Sequence, residues 1–148
     1  MDFELGEETL WDPSNGAGRL FMRQIEVFEA ELGLPSGIGQ GRFWGDPDTL
    51  AVDPVLYEEF VQHLVAWHCG TGHRVILALA EGFVAAAVAL ARRAGIEVVI
   101  PGPDADADAT AGGARFDVQV PPGPRPQPGA VAEALRGRAG EMDRWMAR

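Results

Sequence analysis

The stretch VILALAEGFVAAAVALA, Val75 to Ala91, carries one charged residue, Glu81, in 17 positions. A helix that is apolar on nearly all sides either lies in the centre of a fold or crosses a membrane. A membrane span needs roughly 20 strongly apolar residues, whereas this stretch is shorter, rich in alanine and interrupted by Glu81 and Gly82. We therefore expect a central helix, His73 to Ala94, in a soluble domain.

Two further helices are predicted before the central one. Apolar residues recur at helical spacing between Ala17 and Leu32, and Gly33 follows as a typical helix end. Asp53 followed by Pro54 is a typical helix start, and the second helix extends to about His68.

The remaining elements follow the central helix. IEVVI (96–100) and FDVQV (116–120) are typical of strands and predict a small β-hairpin. Residues 121–129 form a proline-rich linker, and residues 130–148 predict a C-terminal helix. We therefore expect a mainly helical α+β fold: a single globular domain over residues 1–120 with three core helices, then the linker and the last helix.

The charge of the chain is concentrated at one end. The protein has 148 residues with a net charge of −10, and all 12 of its basic residues are arginines. Residues 1–60 hold 13 acidic residues and 3 arginines, whereas residues 61–148 hold 9 of each. Such a field repels phosphate backbones and anionic membranes, so we expect no nucleic-acid or membrane partner. It suits a basic protein partner, although excess acid can also serve only solubility.

A long connection in the acidic half is the candidate contact region. Residues 33–53 are rich in Gly, Pro and Asp and contain two large aromatic residues, which are either interface anchors or part of the core. The leading hypothesis is a non-enzymatic acidic binding module, such as an immunity or antitoxin-like protein that docks a basic partner. The candidate contact residues are Glu26, Glu29, Phe43, Trp44, Asp46 and Asp48.

The segment AWHCGTGHRV, residues 66–75, does not predict a metal or a nucleophile site. His63, His68 and His73 are five residues apart, which places neighbours about 140° apart around a helix. Cys69 lies at a helix end, where the dipole opposes a thiolate. We expect no metal and no cofactor here, and the lone cysteine suits a cytoplasmic protein.

The acidic run after the first predicted strand does not predict a calcium site. Asp104, Asp106 and Asp108 have the spacing of an EF-hand loop, but Ala109 stands where glycine is required and Arg115 where glutamate is required.

Glu81 and His68 carry the alternative hypothesis. A carboxylate inside an apolar helix must find a partner, raise its pKa or reach solvent, and His68 falls within the apolar arc of the second helix. The alternative function is a small enzyme or ligand-binding protein with a pocket against the central helix. Glu81 and His68 would be its catalytic residues, and Trp67 or Tyr57 its walls. A third hypothesis is a homo-oligomer formed through small residues of the central helix or through the last helix.

The opening LWDPSNGAGRLFMRQIEVFEAELGLPSGIG, Leu10 to Gly39, resembles a family of small proteins from high-GC Gram-positive bacteria that is known only as a domain of unknown function. The resemblance extends to RRAGIEVV, residues 92–99, and leaves the proline-rich stretch and the last helix outside. It implies a bacterial cytoplasmic protein and brings no activity and no catalytic residues.

Overall fold

The computed structural model describes residues 1–40, 48–102 and 126–147 of the chain. These ranges contain four helices and a four-stranded sheet, which confirms the prediction of a mainly helical α+β fold. The helices are α1 (Asn15–Leu32), α2 (Pro54–Gly70), α3 (Arg74–Arg93) and α4 (Pro128–Trp145). The strands are β1 (Asp2–Leu5), β2 (Glu8–Trp11), β3 (Ile38–Gln40) and β4 (Thr49–Val52).

The sheet is formed by the N-terminal third of the chain, in the order β2-β1-β4-β3. β1 and β2 form an antiparallel hairpin, β1 pairs with β4 in parallel, and β3 pairs with β4 in antiparallel fashion. The predicted hairpin of residues 96–100 and 116–120 is not seen. Residues 96–100 are assigned no strand, and residues 116–120 lie outside the described residues.

Residues 96–100 are held by side chains instead of by a strand. Gln62 on α2 bonds both backbone groups of Val99: its Nε2 donates to the carbonyl oxygen at 2.9 Å, and its Oε1 accepts from the amide at 3.1 Å. On α4, Arg136 donates to the carbonyl oxygens of Ile100 and Pro101 at 2.9 and 2.5 Å. These bonds satisfy backbone groups that a sheet would otherwise pair.

The ends of the helices follow the expected local chemistry. The Asp53 carboxylate accepts hydrogen bonds from the amides of Val55 and Leu56 at 3.0 and 3.2 Å, and Pro54 is the first residue of α2. Gly33 ends α1 with a φ of 68°, a left-handed conformation that glycine adopts without strain.

An aromatic cluster joins the sheet to α1 and α3. The rings of Phe3 on β1 and Trp11 on β2 stack with centroids 5.2 Å apart, and Phe21 on α1 meets both rings edge-on. Phe83 on α3 stacks on Phe28 of α1 at 4.9 Å. Aromatic residues bury the largest apolar areas of any side chains, so this cluster fixes how α1 lies between the sheet and α3.

The sequence predicts that the whole of the central helix lies in the core, and the second half of α3 does lie at its centre. Residues 83–91 are all buried, whereas Val75 and Leu79 in the first half are 57% and 75% exposed. α3 is long and apolar enough to cross a membrane by length and composition, but 56% of its most apolar window is buried within the fold. Such burial is typical of the core helix of a soluble protein.

The C-terminal helix α4 packs directly against α3. Its Ala132, Leu135 and Ala139 are fully buried in the same core as the second half of α3. α4 begins at Pro128, two residues before the predicted start, and residues 121–125 of the predicted linker lie outside the described residues. α4 is therefore a structural wall for any site on α3.

Candidate functional site

An open cavity lies where α2 ends, α3 begins and α4 begins. Its volume is about 330 Å³. The lining residues are His68 from α2, Leu77, Ala78 and Glu81 from α3, and Ala130, Val131 and Ala134 from α4. The structure thus brings the two predicted catalytic residues, His68 and Glu81, to one cavity, with five apolar side chains around them.

The cavity exists because the facing side chains of α3 and α4 are small there. Ala78 on α3 and Ala130 and Ala134 on α4 line it, whereas the longer Leu135 of α4 points into the core and is fully buried. Ala78 and Gly82 are both small residues of α3. A Cβ atom added at Gly82 would lie 3.8 Å from Met142 Cε of α4, its nearest neighbour on another element. Small residues on both helices therefore allow α3 and α4 to pack closely near Gly82 and leave a gap between them near Ala78.

His68 is the most buried polar residue of the cavity. Only 2% of it is exposed, and its Nδ1 atom has no hydrogen-bond partner among the described residues. Burial lowers the pKa of the His68 imidazole to about 4, because a site with little water disfavours the charged ring. At neutral pH the ring is therefore uncharged and offers one donor and one acceptor nitrogen.

Glu81 is half-buried and lines the same cavity. Within the described residues, its carboxylate forms no ion pair and no hydrogen bond, and no bond joins it to His68. The predicted Glu–His contact is thus not made in this structure, although both side chains face the same space. The cavity holds a carboxylate and a neutral imidazole that are not bonded to each other.

Two wall residues named from the sequence lie elsewhere. Tyr57 is fully buried and donates a hydrogen bond from its hydroxyl group to the carbonyl oxygen of Ala87 at 3.1 Å. Trp67 is 5% exposed and meets Phe28 of α1 edge-on. Neither lines the cavity, because each turns toward the core side of α2.

Apart from His68, the residues of the segment AWHCGTGHRV that could carry chemistry have structural roles. His73 caps α3, where its Nδ1 accepts from the amide of Ile76 at 3.4 Å, and the exposed His63 contacts the Glu59 carbonyl oxygen at 2.8 Å. Burial raises the pKa of the Cys69 thiol to about 11, although the charge of Arg136 acts in the opposite direction. A thiol with so high a pKa is a poor nucleophile, and the described residues hold no group of three side chains suited to a metal ion.

Two arginines that the sequence analysis did not single out fix the position of α4. Arg93 at the end of α3 forms an ion pair with Asp143 at 2.6 Å and donates to the carbonyl oxygens of Leu10, Asp143 and Met146 at 2.8, 2.6 and 2.8 Å. Arg136 on α4 bonds the segment after α3, as described above. These contacts hold the helix that forms one side of the cavity.

The six residues predicted to contact a partner differ in their burial, and three of them lie outside the described residues. Glu26 is exposed on α1, and Asp48 is exposed just before β4. Glu29 is half-buried, and its Oε1 accepts from the Ser36 amide at 2.6 Å, so it stabilises the turn after α1. Phe43, Trp44 and Asp46 lie outside the described residues.

The comparison with protein families places the chain in one family. A family model described as a family of unknown function, DUF6086, matches residues 1–148. The chain belongs to DUF6086. The match extends beyond the resemblance expected from the sequence, because it includes the proline-rich stretch and α4. No curated protein and no solved structure matches the chain.

Proposed function

We propose that this DUF6086 protein binds a small molecule in the cavity formed by α2, α3 and α4. The observation that carries the proposal is that the two polar side chains His68 and Glu81 line one otherwise apolar cavity, and that the half-buried Glu81 carboxylate has no partner among the described residues. A half-buried carboxylate forms stronger hydrogen bonds and charge interactions with a ligand than a carboxylate in open water does.

The size and lining of the cavity also suit a ligand. Ligand sites are mostly apolar clefts of roughly 300–1,000 Å³ with a few polar groups that fix orientation. This cavity has a volume of about 330 Å³, five apolar lining residues and the polar pair His68 and Glu81. Binding is the function that these features support, and a reaction on the bound molecule would use the same two polar side chains.

Filling the cavity should weaken the binding of a neutral aromatic probe. Ala134 lines the cavity from α4 and is exposed, so Ala134→Phe adds a ring there without disturbing the core. We expect phenethyl alcohol to shift the amide resonances of His68 and Val131 in the unsubstituted protein, and the dissociation constant to rise by about tenfold or more in Ala134→Phe.

The matched control is Ala30→Phe, the same change at an exposed position of α1. It should leave the dissociation constant within about twofold of the parent value. Equal weakening by both variants, or no weakening by Ala134→Phe, would show that the probe binds elsewhere.

The acidic docking hypothesis is a second candidate, and the surface charge favours it. Within residues 1–40 and 48–60, the chain holds 12 acidic residues and 2 arginines. Glu26, Glu58 and Glu59 are exposed in this part and form no ion pair with any residue in 1–40, 48–102 or 126–147. Such a surface attracts a basic protein, with a contact that salt weakens. The lone, buried Cys69 suits the cytoplasm as the compartment for either function.

Charge reversal tests this candidate. A basic protein captured from native extract and identified by mass spectrometry should be lost with Glu26→Arg combined with Asp48→Arg, and also at about 0.3 M salt. The control Glu97→Arg, at an exposed site in the other half of the chain, should retain it. Retention by all variants would contradict docking through the acidic half.

A further inference from the structure

We propose that the cavity beside His68 and Glu81 selects a small hydrophobic amine, a molecule with one cationic amino group and a compact apolar body. This inference rests on the proposed function, because it names the class of ligand for the same cavity. It is carried by the charge and the lining of the cavity.

Glu81 sets the charge preference. It is the one charged side chain among the seven lining residues, and no arginine or histidine of the described chain forms an ion pair with it. A half-buried carboxylate is stabilised by a nearby cation and destabilised by a nearby anion, and both effects are stronger than in water. An ammonium group can donate up to three hydrogen bonds, of which the Glu81 oxygens can accept two.

His68 does not compensate the charge of Glu81. A protonated imidazole would cancel the carboxylate and make the cavity neutral, but the His68 ring is buried and its pKa is lowered to about 4. The ring is therefore neutral and adds no positive charge to the cavity. The Glu81 carboxylate remains the one charged group among the lining residues, so a cationic ligand is attracted and a ligand carboxylate is repelled.

The other five lining residues set the body of the ligand. Leu77 and Ala78 from α3 face Ala130, Val131 and Ala134 from α4, and none of these side chains offers a hydrogen bond. The volume of about 330 Å³ is at the small end of the range for ligand sites, so it suits a compact ligand. A larger polar body would lose hydrogen bonds to water without replacement.

Three probes with one aromatic body separate charge from shape. Phenethylamine is cationic, phenethyl alcohol is neutral and hydrocinnamate is anionic at about pH 7. We expect dissociation constants from amide shift titrations to rank amine, alcohol, anion, with the amine about tenfold tighter than the alcohol.

Glu81→Gln keeps the size and removes the charge of the side chain. It should bring the amine and alcohol affinities to within about twofold of each other while leaving the alcohol affinity near its parent value. The control Glu97→Gln, at an exposed site after α3, should leave the tenfold preference unchanged.

The outcomes distinguish the two proposals. Equal affinity for amine and alcohol in the parent protein, with both weakened by Ala134→Phe, would leave small-molecule binding in place and overturn the amine preference. A preference that persists in Glu81→Gln would also overturn the role of Glu81. Absence of binding by all three probes would overturn the proposed function itself, and the amine preference with it.

Discussion

Replacement of Arg93 by alanine is expected to lower the free energy of unfolding by about 3 kcal/mol. The side chain is 8% exposed and donates to Asp143 and to carbonyl oxygens of β2 and of the end of α4. Its removal leaves the partly buried carbonyl oxygens of Leu10 and Met146 without this donor, and each such group costs about 1–3 kcal/mol. The ion pair itself adds little, because Asp143 is 51% exposed.

Urea denaturation followed by circular dichroism measures this effect. The neighbouring Arg92 is exposed on the same turn of α3, so Arg92→Ala provides a control that should change the free energy of unfolding by no more than about 0.5 kcal/mol. Arg93→Ala should also weaken phenethyl alcohol binding, because α4 forms one wall of the cavity. Equal stability of the two variants would contradict the anchoring role of Arg93.

Acidification is expected to destabilise the protein through His68. Burial lowers the pKa of the imidazole in the folded state to about 4, below its ordinary value of 6.5. The unfolded chain therefore binds the proton first as pH falls, and stability is lost between about pH 6.5 and pH 4. For this one group the loss between pH 7 and pH 4.5 amounts to about 2.5 kcal/mol.

Comparison of variants isolates this contribution. His68→Phe removes the titrating group. Between pH 7 and pH 4.5, the variant should therefore lose about 2.5 kcal/mol less of its free energy of unfolding than the parent protein loses. Carboxylates also titrate in this range, but they are common to all variants and cancel in the difference. His63→Gln, at an exposed position of the same helix, should keep the parent pH dependence. An unchanged pH dependence in His68→Phe would show that the ring is not buried as a neutral group.

The helices could be predicted from the sequence because their signals are local. Asp53 and Pro54 start α2, Gly33 ends α1, and the apolar run beginning at Val75 marks α3. Each signal depends on residues within one or two turns of the helix. Burial was predicted for the whole of α3, but its first half is not buried. Leu79 is apolar and yet exposed, because no other element covers it in the described chain.

The order of the sheet could not be predicted because the pairing that joins its two halves, between β1 and β4, is not local. β1 pairs in parallel with β4, more than 40 residues later in the chain, and every strand has three or four residues. Strands this short show too little alternation to be distinguished from loops. IEVVI, by contrast, has strand-like composition, but the side chains of Gln62 and Arg136 satisfy its backbone groups.

The lining of the cavity could be predicted only in part. His68 and Glu81 stand out in the sequence because each is polar in an apolar helical context, and both line the cavity. The spacing of Val131 and Leu135 indicates that the last helix docks, but where it docks, and hence its wall of the cavity, could not be predicted because α4 follows a proline-rich segment. The Arg93 anchor has no sequence signal, since its partners lie 50 or more positions away.

The most direct test of the cavity as a binding site is the measurement of intermolecular nuclear Overhauser effects between phenethylamine and the methyl groups of the protein. We predict cross-peaks from the aromatic ring to Leu77, Val131 and Ala134, which line the cavity from α3 and α4. Exposed apolar residues of other surfaces, such as Val27 on α1 and Val55 on α2, should give none. Cross-peaks to those two valines without any to Val131 and Ala134 would contradict a binding site at His68 and Glu81.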